Sequence, residues 1–114
     1  VKKAFFLLLL AAVFSCTPKK KPVPADVLSH DDMVRLLIDV HILEAKVKKL
    51  YVNADSSSKL YHHYEKMLFS ELGIKKETYE NSLAFYIDEI DAYRDIYDEV
   101  VDSLLARQKA KDIN

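Results

Sequence analysis

Cys16 is the residue whose setting most directly implies a reaction. It follows an apolar run, residues 4–14, that starts behind the basic pair Lys2 and Lys3. In the string Val13-Phe14-Ser15-Cys16 a small residue stands just before it. A basic start, a short apolar core and a small-residue exit are the parts of a secretory leader. A cysteine at that exit reads as a lipobox, in which the thiol is lipidated and becomes the new N-terminus. Eleven apolar residues are too few for a spanning helix, which needs about 20. Cys16 is also the only cysteine, so no intramolecular disulfide can form. Lipidation would remove a thiol that is otherwise a liability in an exported chain.

A second group of residues has ligand chemistry. His41 and Glu44 are three apart and share a face if the segment is helical. Asp39, two residues before His41, would point about 160° away and cannot join them; Arg35, one turn earlier, is its natural partner. His62 and His63 could add nitrogen ligands. A metal site built from His41, Glu44, His62 and His63 matches no standard ligand spacing. The preferred reading makes His41 and Glu44 a partly buried polar pair, satisfied by each other or by a tyrosine. No metal and no cofactor is expected.

The third group is acidic. Residues 77–102 hold nine acids against one base, Arg94. Asp91, Asp95, Asp98 and Asp102 form a ridge at helical spacing. Like charges one turn apart destabilise a helix by about 0.2–0.5 kcal/mol per pair. A basic protein partner could answer that ridge, as could Lys46, Lys48 and Lys49 within the fold; a solvated face is the bland alternative. There is no calcium loop. No Gly-rich phosphate loop, nucleophile elbow or zinc-protease helix appears either, and the reading is of a non-enzyme.

These residues need elements to position them. After Cys16, residues 17–25 contain three prolines and three lysines. Such a segment is an extended leash that would hold a domain roughly 25–40 Å from a bilayer. Its lysines would attract anionic headgroups by about 1 kcal/mol each. Ser29, followed by Asp31 and Asp32, is an N-cap with acids in the first turn. Met33, Leu36, Val40, Leu43, Val47 and Leu50 then repeat with three-and-four spacing. A second set, Val34, Ile38, Ile42 and Ala45, makes this helix apolar over most of its circumference, so it is predicted to be the central one. The polar string 53–58 offers caps for a second helix that carries Leu60, Tyr61, Tyr64, Met67, Leu68 and Leu72. Gly73 ends it. A third helix from about Lys76 carries Tyr79, Ser82, Leu83, Tyr86 and Ile90. No Pro or Gly forces a break at residues 87–91, so two helices or one long helix both fit. The last segment places Tyr93, Ile96, Tyr97, Val100, Leu104 and Leu105 in a stripe, with Arg107, Lys109 and Lys111 at its end. The tyrosines are predicted to pack with their hydroxyls at the rim.

Composition agrees. One glycine, three prolines and no tryptophan in 114 residues favour helices. The 17 basic residues less Lys2 and Lys3 leave 15 against 18 acids in the 99 residues from Cys16 onward. That balance excludes a general nucleic-acid binder. The expectation is an all-α bundle of three or four helices. Residues 1–15 form the leader, 16–27 the lipidated cysteine and flexible tether, 28–110 the helical domain and 111–114 a disordered tail.

The chain resembles a family of small lipoproteins from Bacteroidota with a domain of unknown function. The residues that carry the likeness are Leu28-Ser29, Met33, Leu37, Asp39-Val40-His41 and Glu44-Ala45. Gly73-Ile74, Tyr79, Ser82, Tyr86, Ile96-Tyr97-Asp98, Val100 and Leu104 complete it. Asp-x-His-x-x-Glu-Ala is the sharpest part, and Lys75 departs from the small N-cap expected before the third helix. The resemblance implies a cell envelope and no activity. By resemblance to lipoproteins of these bacteria, where acidic residues after the cysteine favour surface display, the basic residues here imply an outer membrane location facing the periplasm. The expected partners are the bilayer, through acylated Cys16, and a protein. The contact surface would be the acidic ridge or an exposed part of the first helix's second apolar face. The competing expectation is a carrier of a metal ion or small apolar ligand.

Overall fold

A computed structural model describes residues 20–113; Cys16 and the leader lie outside them. Four helices follow one another: α1 His30–Lys48, α2 Ala54–Leu72, α3 Lys76–Asp88 and α4 Ile90–Asp112. Among the described residues there is no strand, so the domain is a small all-α bundle. α1 packs on both α2 and α4, and α3 packs on α4.

Local chemistry sets most helix ends. The Ser29 hydroxyl accepts the Asp32 N–H at 3.2 Å, and Asp31 and Asp32 meet the positive end of the α1 dipole. Asn53 Oδ1 accepts the Ser56 N–H at 2.9 Å and starts α2. Gly73 closes α2 at φ 65°, a left-handed conformation that glycine adopts without strain. The Ile74 N–H then reaches the Phe69 carbonyl at 2.9 Å, as in a Schellman end. Lys75 caps α3 with no side-chain bond. α3 and α4 are separate helices. The break is at Glu89, whose φ and ψ of −103° and 73° leave the helical region although neither Pro nor Gly is present. What marks the position is the ion pair of Glu89 with Lys21 at 2.6 Å.

The core lies on α1. Met33, Val34, Leu37 and Ile38 form one cluster with Tyr86, Ile96 and Val100. Leu36 and Val40 form a second with Phe69. Leu28 and Tyr79 touch both. Each fully buried aliphatic side chain contributes about 1.5–3 kcal/mol. α1 alone supplies seven buried residues, which makes it the central helix.

Several expectations need correction. Val34 and Ile38 are buried and Ile42 packs on the core, so of the second apolar face of α1 only Ala45 is exposed. On α2 the inward residues are Glu65 and Phe69, while Tyr64, Met67 and Leu72 are exposed. Leu68 packs on the core beside Phe69, and Leu60 and Tyr61 are half-buried, so the apolar residues of α2 divide between core and solvent. Leu105 is exposed on α4. Arg35 reaches back to Asp32 at 4.0 Å rather than on to Asp39. α4 continues to Asp112, so residues 111 and 112 are helical.

The leash is shorter than 16–27. The Val27 N–H bonds the Pro24 carbonyl at 3.2 Å, and Val27 and Leu28 pack on the core. The Leu28 N–H donates to Ser82 Oγ at 2.8 Å, and the Tyr86 hydroxyl donates to the Leu28 carbonyl at 2.8 Å. Asn81 Nδ2 donates to Asp26 at 3.3 Å. Residues 24–28 are thus a strap across α3. Ser82 is fully buried. Ser82→Ala is expected to cost about 1–3 kcal/mol, because the Leu28 N–H loses its acceptor. Faster hydrogen exchange at the Leu28 amide, with a lower melting temperature, checks this.

Candidate functional site: an acidic groove and a histidine–tyrosine–carboxylate cluster

Lys20, Lys21 and Val23, just ahead of the strap, border a groove of about 920 Å³ with the first turn of α1, the end of α3 and the start of α4. Val23, Phe85, Tyr86, Ile90 and Ala92 give it apolar surface. Its carboxylates are Asp31, Asp88, Glu89, Asp91, Asp95, Asp98 and Glu99. Three of the four ridge acids line it; Asp102, exposed one turn further on, does not. Lys21 sits on Glu89, which holds the lysine's pKa above its usual value by that bond and by the Glu89 charge. Asp91 pairs with Arg94. His30 Nε2 lies 3.8 Å from Glu99 and its Nδ1 3.5 Å from Asp31. Lys46, Lys48 and Lys49 make no ion pair among the described residues, so they do not answer the ridge. Asp95 and Asp98 have no cation within 4.0 Å among the described residues and face solvent.

His41 Nδ1 lies 3.2 Å from Glu44 Oε2, both groups half-buried. The imidazole stands edge-on to Tyr97, ring centres 6.1 Å apart, and Tyr97 packs on Tyr93 at 4.7 Å. Burial, and then the Tyr93 hydroxyl beside it, push the Tyr97 phenol up to about 12. Across the fold Glu65 is the one buried charged side chain among the described residues. Lys76 Nζ reaches it at 3.2 Å and His62 Nδ1 at 3.9 Å. Burial, then the adjacent Glu65, raise the Tyr61 phenol well above its ordinary value. Burial and the charges of Glu65 and Glu44 raise Tyr79. These phenols therefore stay neutral hydrogen-bonding groups at any physiological pH.

A phenol whose folded pKa exceeds its unfolded value gives its full stabilisation below about pH 10. The gain is lost as pH rises towards about 12 for Tyr97. The melting temperature is expected to fall across pH 10–12, and Tyr97→Phe to flatten that fall. Thermal scans at stepped pH check it.

His63 is exposed and stands against Tyr64, ring centres 5.3 Å apart. Among the described residues no group of three His, Cys, Asp or Glu side chains could hold a metal ion. His41 and Glu44 on α1 and His62 and His63 on α2 therefore do not converge. A smaller cleft of about 460 Å³ runs along α2 past His62, Glu65, Lys66, Phe69 and Ser70 to Ile74 and Lys76. Sequence reasoning missed Glu65. Its only signal was a carboxylate in step with Tyr61, Leu68 and Leu72, where a polar side chain is easily passed over. It also missed Asp31, Asp88, Glu89 and Glu99 as parts of the groove, because Lys20, Lys21 and Val23, which line it with them, carry only the signal of an extended segment.

A family model described as "Domain of unknown function (DUF4296)" matches residues 24–110. No curated protein and no solved structure matches the chain.

Proposed function

The chain belongs to the family described as a domain of unknown function, DUF4296, and from that premise we propose a lipid-anchored, non-catalytic protein-binding module of the bacterial cell envelope. The observation that carries the binding role is the groove: seven carboxylates beside apolar surface, with three of them, Asp88, Asp95 and Asp98, without an ion pair among the described residues. Unpaired charge on such a rim speeds encounter with an oppositely charged partner and selects against acidic ones. The partner is a basic protein segment. The anchor reading rests on Lys2, Lys3, the apolar run and Ser15-Cys16. Two or three acyl chains hold stably where one holds only marginally. Basic residues after Cys16 support an outer membrane location facing the periplasm.

Intact-mass measurement of membrane-extracted protein tests the anchor. The expected mass is that of a chain starting at Cys16 plus its acyl groups. An unmodified cysteine contradicts it, and protease digestion of whole cells without lysis contradicts the periplasmic face.

The second reading, a carrier of a small apolar ligand, draws on the 460 Å³ cleft floored by Phe69 and Ile74. Native mass spectrometry of protein purified without chelators decides it by the presence or absence of bound mass.

A further inference from the structure

The turn between α1 and α2 lies a full helix length from the groove and has the opposite character. Leu50, Tyr51 and Val52 are three consecutive large side chains with 54%, 94% and 41% of their surface exposed. Tyr51 holds φ at 50°, a left-handed conformation that is uncommon for a side chain of its size. Such strain is concentrated at sites of contact and switching. Immediately before the tip stand Lys46, Lys48 and Lys49, all exposed and without an ion pair among the described residues. Of the flanking acids, Asp55 pairs with Lys59 at 2.6 Å and Glu44 lies 3.2 Å from His41. Three lysines within four residues make this end a local positive patch with an apolar point.

We propose that the Leu50–Tyr51–Val52 tip and its three lysines form a second membrane contact, which inserts into the interface of an anionic bilayer. Charge complementarity names the occupant. Lysines at this spacing attract anionic headgroups, and their stems lie along apolar surface while the ammonium stays in the headgroup layer. Tyrosine suits the same boundary, with an apolar ring and a polar tip. A basic protein partner is repelled here, and an acidic one gives no role to three exposed apolar side chains.

The proposal does not depend on Cys16.

The chain has no tryptophan, which gives a clean reporter. Tyr51→Trp is introduced into the full-length chain, at a position too exposed to affect packing. Val101→Trp, at an exposed site on α4, serves as control. Both are reconstituted in vesicles of neutral or partly anionic phospholipid with brominated acyl chains. The expected result is a blue shift and strong quenching for Tyr51→Trp in anionic vesicles. Quenching should fall severalfold in neutral vesicles, in high salt, and when Lys46, Lys48 and Lys49 are all changed to Gln. Val101→Trp should stay unquenched. A water-like emission at position 51 in both lipids overturns the proposal. So does equal quenching at both positions, which reports only the nearness of the anchor. Either failure leaves the groove and its partner untouched, because neither reporter touches the carboxylates that line it.

Discussion

Phe69→Ala is expected to lower the melting temperature by about 15–30 °C. Phe69 is the inward residue of α2 that locks it to α1, against Leu36 and Val40, and its ring meets Tyr79 of α3 at 5.4 Å. Truncating a buried phenylalanine costs about 3–5 kcal/mol. A domain of this size loses about 4–8 °C per kcal/mol, and its whole stability is only about 5–15 kcal/mol. α2 has one other buried residue, Glu65, so little remains to hold it once the ring is gone. Met67→Ala on the exposed side of the same helix is the control, with an expected change within about 0.5 kcal/mol. Thermal denaturation by circular dichroism measures both. Similar losses for the two would mean that α2 is turned the other way.

Neutralising Asp95, Asp98 and Glu99 together should weaken partner binding by about tenfold and leave the fold intact or slightly more stable. Asp91, Asp95 and Glu99 lie at four-residue steps on α4, as do Asp98 and Asp102. Each like-charge pair costs a helix about 0.2–0.5 kcal/mol. Removing three acids relieves several pairs and gives up only the long His30–Glu99 contact at 3.8 Å. Exposed pairs with a basic partner contribute about 0.2–1 kcal/mol each. Three such losses multiply to roughly a factor of ten. Opposite signs on stability and binding separate a contact surface from a structural one: a charged face serving only the fold would lose stability, and a merely solvating face would lose no binding.

Both expectations rest on how residues are brought together, and the sequence reveals that unevenly. The helices were legible because their ends use local chemistry: Ser29 and Asp31, Asn53, and Gly73 act on neighbours a few residues away. α1 was legible as the centre because an apolar circumference has one structural meaning. The face of α2 was not, since Phe69 and Glu65 are chosen by the surface of α1, not by the spacing of apolar residues within α2. The break at Glu89 was open in the sequence. The ion pair that marks it comes from Lys21, 68 positions away. The strap was hidden in the same way: proline and lysine signal an extended segment, while Ser82 and Tyr86, far along the chain, hold it down through the backbone of Leu28. The His41–Glu44 contact needed only three-residue spacing and was readable. Tyr97 beside it required the crossing of α4 over α1.

The central claim is that this domain works by contact through the acidic groove while it is held at the envelope. Crosslinking in intact cells tests it most directly, with quantitative recovery of the same partner by the native chain and by the Asp95→Asn, Asp98→Asn, Glu99→Gln variant at equal abundance. The account expects one basic partner, recovered at about a tenth of the native level by the variant. Equal recovery from both, or recovery of no specific partner by the native chain, would contradict it.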